Sequence, residues 1–151
     1  MRVYGIDLVP RGASRHRTSG RRTYMPAEHR AWEDAAVVQL RGQRTPGDAT
    51  FTGFVTVSIE AWMPRPKARP DWFPREPWKA GRAWATPTKP DADNIAKIVL
   101  DAMVKADVLE DDRFVCELHV HRFMVGKDAP PGVTITVEDW TPHWTPLDSF
   151  I

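Results

Sequence analysis

The chain has 151 residues and a mass of 17.2 kDa, enough for one domain that folds on its own core without staples. Its lone cysteine, Cys116, excludes an internal disulfide and argues against a cysteine-rich zinc site, which points to a reducing cytoplasm. The net charge of +1 conceals an asymmetry: residues 1–90 hold 16 Lys and Arg against 8 Asp and Glu, whereas residues 91–151 hold 5 against 12. Such a division suits a first half that grips a polyanion and a second half that supplies carboxylates, or two halves that attract each other.

No run approaches the roughly 18 apolar residues of a membrane span. The start Met1-Arg2-Val3-Tyr4-Gly5-Ile6-Asp7 lacks the basic-then-apolar build of a signal peptide, so a soluble cytoplasmic protein without a membrane partner is expected. Residues 2–9 alternate, with Tyr4, Ile6 and Leu8 on one face, and predict a first strand. From Arg11 to Arg22 the chain carries Arg11, Arg15, His16, Arg17, Arg21 and Arg22 with two glycines and no large apolar residue. That composition predicts a basic loop, mobile or ordered by a ligand.

Pro26 suits the first turn of a helix running to about Arg41, with Trp32 as its core anchor and acidic residues near its start. Beyond the turn Thr45-Pro46-Gly47-Asp48, the segment Phe51–Trp62 is rich in β-branched and aromatic residues. Val55, Val57 and Ile59 alternate there with polar neighbours, which predicts a central strand. Residues 63–90 hold seven of the fourteen prolines, interleaved with Trp72, Phe73, Trp78 and Trp84 and with Arg65, Lys67, Arg69, Arg75, Lys79 and Arg82. So many prolines predict a long irregular excursion. Its aromatic and cationic side chains suit stacking on bases and neutralising phosphates, or packing as a lid on the domain or a second subunit.

A second helix is expected from Asp93, a plausible N-cap, to about Lys105, with Ile95, Ile98, Val99, Ala102 and Met103 forming its apolar face. Val115–Val125 and the run Val133, Ile135, Val137 alternate and predict two strands joined as a hairpin. The tail from Asp139 to Ile151, with Trp140, Trp144 and Phe150, is too short for a domain and suits a dimer strap. The expectation is one α/β (α+β) domain over residues 1–151, with a small mixed sheet of about four strands and two main helices.

The acidic residues gather around the second helix. Asp93 and Lys97 lie one turn apart, opposite the apolar face, while Asp91 precedes the helix and Asp111 and Asp112 open the next strand. Singly these read as a cap, a Pro-Asp turn, a solvated turn and a surface ion pair of Lys97 with Asp93 or Asp101. Together, with one of the doublet returning to within reach of Asp91 and Asp93, they suit a hard divalent cation. Paired cations in such a site would activate water for in-line phosphodiester attack, with Lys97 opposing the extra charge of the phosphorane. Other signals are weaker. His119 and His121 share a strand face without a third ligand, Ser14 and Ser19 lack an orienting carboxylate near His16, and no Gly-rich phosphate loop supports a nucleotide cofactor.

The strings KPDADNIAKIVLDAM (residues 89–103) and VLEDDRFVCEL (residues 108–118) resemble the signature of RusA-type Holliday junction resolvases, and Gly20–Trp32 is similar to the family's basic loop running into its first helix. The resemblance implies ligation of Mg²⁺, or Mn²⁺ as a substitute, by Asp91, Asp93 and Asp112. It makes Lys97 the basic catalytic partner and places Asp111 behind Asp112 or in its place. It further implies a homodimer that cuts branched DNA such as a four-way junction symmetrically, one strand per subunit, in the cytoplasm of a bacterium or a phage-infected host. Arg11, Arg15, Arg17, Arg21, Arg22, Arg65, Lys67, Arg69 and Lys89 are the expected DNA contacts. The alternatives are a non-catalytic branched-DNA-binding accessory of phage replication or packaging, and a nuclease directed at flaps or forks.

Overall fold

The computed structural model describes residues 1–67, 84–85, 89–126 and 129–142, with 84–85 described by their backbone. Arg69, most of the Pro/Trp-rich excursion and the tail from 143 onward lie outside the described residues. In chain order the elements are β1 (Arg2–Ile6), β2 (Arg17–Ser19), β3 (Arg22–Tyr24), α1 (Ala27–Gly42), β4 (Val55–Met63) and β5 (Trp84–Ala85). They continue as α2 (Ala92–Lys105), a 3₁₀ turn (Asp112–Phe114), β6 (Val115–Met124) and β7 (Gly132–Asp139).

Five strands form one mixed sheet in the order β1-β7-β4-β6-β5, with β4 and β6 parallel and the other neighbours antiparallel. Val55, Val57, Ile59, Ala61 and Met63 all point to one face of β4 and are buried. The register sets Val133, Ile135 and Val137 of β7 beside them, followed by Tyr4 and Ile6 of β1. Against this face α2 buries Ile95, Ile98, Val99, Ala102 and Met103, and α1 buries Trp32, Ala36 and Leu40, closing one apolar core. Each large aliphatic side chain removed from water there contributes about 1.5–3 kcal/mol. Among the described residues no helix is long and apolar enough to cross a membrane.

Both helices form where periodicity places them, the first strand ends at Ile6 rather than running to residue 9, the central strand starts at Val55 rather than Phe51, and Trp32 is an anchor, its indole N–H donating to the Val9 carbonyl at 2.9 Å. The expected hairpin of β6 and β7 does not form, because β4 lies between them. As the most completely buried strand, β4 needs a ladder on both edges, and the connection after Met124, with Pro130 and Pro131, is too long for a tight turn. The basic loop also differs from expectation. It folds into the two-stranded hairpin β2–β3, closed at Gly20-Arg21 with Gly20 at φ 60°, the left-handed conformation that tight hairpin turns require. Within the excursion, Trp84–Ala85 adds a two-residue edge strand to β6; an edge tolerates nearby prolines because only one side carries a ladder.

Candidate active site along helix α2

Helix α2 is capped two residues earlier than its sequence suggests. Asp91, extended at φ −71° and ψ 155°, is the N-cap residue in place of Asp93, and its carbonyl accepts the Ile95 N–H at 3.1 Å. The Asp91 carboxylate makes no capping bond, and Asp93 stands in the first turn of the helix. Asp93 and Lys97 face solvent on the exposed side of the first two turns, opposite buried Ile95, Ala96, Ile98 and Val99.

Asp91 lines a cleft of about 390 Å³ together with Pro10, Arg11, Gly12, Ala13, Lys89, Pro90 and Asn94. Asp111 and Asp112 line a second cleft, of about 230 Å³, with Asp101, Val104 and Lys105 at the other end of the helix. The chain path dictates this separation. Only six residues join Lys105 to Asp112, so the doublet stays near the C-terminal end of α2. From there β6 runs back along the helix until the Arg122 guanidinium donates to the Pro90 carbonyl at 3.2 Å. The seven strand steps from Val115 to Arg122 cover roughly 23 Å. The return of Asp112 to within metal-bridging reach of Asp91 and Asp93, expected from sequence, therefore does not occur within one chain. Among the described residues no three His, Cys, Asp or Glu side chains come together in a way that could hold a metal ion.

The doublet divides its labour. The Asp111 carboxylate accepts the Arg113 amide N–H at 2.9 Å and lies 3.7 Å from the Arg113 guanidinium, capping the 3₁₀ turn. Asp112 is exposed, and its carboxylate has no hydrogen bond or ion pair among the described residues.

Asp101, by sequence alone a surface partner for Lys97, adds a further carboxylate to this helix. It is half-buried, one turn beyond Lys97 and two beyond Asp93 on the same helical stripe, a spacing that could have singled it out. Burial, then the negative charge of Glu33, hold its carboxyl above the usual carboxylate value; Lys105 and Lys97 oppose the rise and Asp112 adds to it. The sequence also gave no reason to notice the buried pair His29 and Glu33, which reaches α2 through Lys105.

Of the expected DNA contacts, Arg11 and Lys89 line the first cleft. Arg15, Arg17, Arg21 and Arg22 are exposed on or beside the β2–β3 hairpin, and Lys89 is exposed next to Asp91. Arg11, half-buried, pairs with Glu28 at 2.8 Å. Arg65 and Lys67 are exposed just beyond β4. His119 and His121 are exposed on β6, the first 3.6 Å from Glu117 and the second stacked on Phe123. Ser19 is exposed on the hairpin, and Ser14 engages His29 through its backbone N–H at 3.0 Å.

A family model described as Endodeoxyribonuclease RusA matches residues 7–138, from the end of β1 to the end of β7. The chain belongs to the RusA endodeoxyribonuclease family. The matched span takes in the basic hairpin, both clefts and the whole of α2, so the acidic stripe of this RusA-family chain lies within the part of the chain that the endodeoxyribonuclease family model covers. No individual curated protein matches the chain.

Proposed function

We propose that this RusA-family protein is a divalent-metal-dependent endonuclease that resolves four-way DNA junctions by paired nicks, acting as a homodimer. One observation carries the reading: Asp93 and Lys97 are exposed on one side of α2, between a cleft bearing Asp91 with Arg11 and Lys89 and an acidic cleft bearing Asp112.

Carboxylate oxygens are the hard donors that Mg²⁺ and Mn²⁺ prefer. Mg²⁺ commonly takes only one or two carboxylates, with water and substrate phosphate completing its octahedron. Asp91 and Asp93, two residues apart at the start of α2, fit that requirement. Asp112 joins the set from a second copy of the chain, since its own strand carries it away from Asp91. When bound, the cation supplies a water of lowered pKa and charge stabilisation at the leaving oxygen. Lys97 sets a positive charge beside the scissile phosphate, opposing the charge that builds up as the pentacovalent phosphorane forms. Arg15, Arg17, Arg21, Arg22 and Lys89 neutralise flanking phosphates, giving affinity and register without reading sequence. Two-fold symmetry of the dimer matches that of the junction and sets one active centre on each of two opposed strands.

The decisive test is strand cleavage of a labelled, mobile four-way junction with Mg²⁺, beside an EDTA control and Asp91→Asn. Paired symmetric nicks that require both the metal and Asp91 are expected. Tight binding without cleavage under every metal tried would make the chain a junction-binding accessory, and equal cutting of matched flaps or forks would redirect its substrate.

A further inference from the structure

Residues 9–14, the root of the basic hairpin, are tied down at both sides. On the α1 side the Val9 carbonyl accepts from the Trp32 indole at 2.9 Å, and the Ser14 amide donates to His29 Nδ1 at 3.0 Å. On the α2 side the Ala13 amide donates to the Asn94 carbonyl at 2.8 Å, and Gly12 sits directly on Pro90 and Asn94. This root therefore bridges the first helix and the residues that lead into Asp91.

His29 is the buried member of this bridge, 2% exposed, and Glu33 one turn later is 4% exposed. A neutral imidazole has one donor nitrogen and one acceptor. Because Nδ1 accepts the Ser14 N–H, the ring proton belongs on Nε2, which faces the Glu33 carboxylate at 3.5 Å. The second oxygen of Glu33 is engaged by the Lys105 ammonium at the end of α2. Glu33 thus selects the tautomer that leaves Nδ1 open to the loop.

We propose that His29 is a positioning residue: held as the Nε2–H tautomer by Glu33, it accepts the Ser14 amide and sets the basic hairpin against the α2 start where Asp91 stands. The role rests on the nuclease reading above for its consequence, and on the geometry alone for its existence. The hairpin's arginines begin one residue beyond Ser14, so a slack root lets the phosphate-binding surface drift relative to the carboxylates.

Two substitutions separate the two ring nitrogens. His29→Asn keeps an acceptor where Nδ1 stands and gives up the Glu33 contact. His29→Gln reaches Glu33 with its amide but offers Ser14 no acceptor. On the 151-residue chain, imidazole ¹⁵N resonances should show His29 Nδ1 unprotonated, and Ser14 should exchange its amide hydrogen more slowly than Arg15 and His16. His29→Gln should lose that protection and raise KM for a four-way junction about fivefold at unchanged kcat, as expected for one buried hydrogen bond. His29→Asn should stay within about twofold of the wild type.

A protonated Nδ1, an unprotected Ser14 amide, or equal KM shifts in the two variants would overturn the proposal. If the wild type neither binds nor cuts junctions, the nuclease reading falls, and the resonance and exchange measurements still decide the role of His29.

Discussion

Gly12 and Pro90 touch so closely that a Cβ on Gly12 would lie 2.8 Å from the Pro90 Cβ and 3.1 Å from the Asn94 Cβ. Neither neighbour is the free end of a flexible chain: one belongs to a pyrrolidine ring and the other to the first turn of α2. Gly12→Ala must therefore push the hairpin root and the Asp91 segment apart. Overpacking of this kind costs about 1–3 kcal/mol. A lowered thermal midpoint together with slower junction cleavage is expected, and a variant that melts and cuts like the wild type would contradict the tight seam.

Asp93→Asn removes a candidate ligand and a negative charge from the exposed face of α2 without touching the core. Cleavage should fall by on the order of a hundredfold or more. Junction affinity in EDTA should hold or rise, because one repulsion toward phosphate has gone. Electrophoretic shift and single-turnover cleavage measured side by side check both halves; near-wild-type cutting would remove Asp93 from the site.

Opposite-end placement of Asp91 and Asp112 makes a specific statement about subunits. In a mixed dimer of Asp91→Asn and Asp112→Asn chains, a site shared between copies leaves one centre with all its aspartates and one with two missing. Such heterodimers should nick a single strand of the junction. Complete inactivity would mean that each chain assembles its own set after a rearrangement.

Arg21 and Arg22 stand at the tip of the exposed β2–β3 hairpin, away from the core. Neutralising both with glutamine should weaken junction binding and reduce its dependence on salt by up to about two units of logarithmic slope, one for each lost phosphate contact. Binding titrations across a salt series measure the slope, and an unchanged value would place the DNA surface elsewhere.

Asp101 gives a pH dependence whose sign follows from its environment. Burial, reinforced by Glu33 and Asp112 against the pull of Lys105 and Lys97, raises its carboxyl above the ordinary 3.8. The folded chain then keeps a proton that the unfolded chain has released. Stability from this group is full below 3.8, declines as pH climbs to the raised folded value, and is level beyond it. Asp101→Asn abolishes that decline. Melting both proteins from about pH 3 to about pH 7 should show the variant gaining on the wild type as pH rises. A constant difference would mean that Asp101 is not held away from its ordinary behaviour.

Local patterns were enough to read much of this molecule. The 3.6-residue spacing of Ile95, Ile98, Val99, Ala102 and Met103 and the twofold alternation of Val55, Val57 and Ile59 marked α2 and β4 correctly, because burial on one face imposes those periods directly. The basic run and the acidic string were visible for the same reason: charge that serves no core stands out in composition. The β2–β3 hairpin was missed because its residues bury nothing and carry no alternation, leaving the positive φ of Gly20 as the lone cue.

By itself, the sequence determined the family, the two helices, the strand that centres the sheet and the aspartates and lysine that face solvent along α2. Tertiary structure decided what stands beside what. It inserted β4 between β6 and β7, carried Asp112 to the far end of α2 from Asp91, committed Asp111 to a cap, and brought Ser14, His29, Glu33 and Lys105 into one chain of contacts through the buried His29 and Glu33. Those pairings join residues up to dozens of positions apart. They follow from strand order and the short link after Lys105, which side-chain periodicity does not encode.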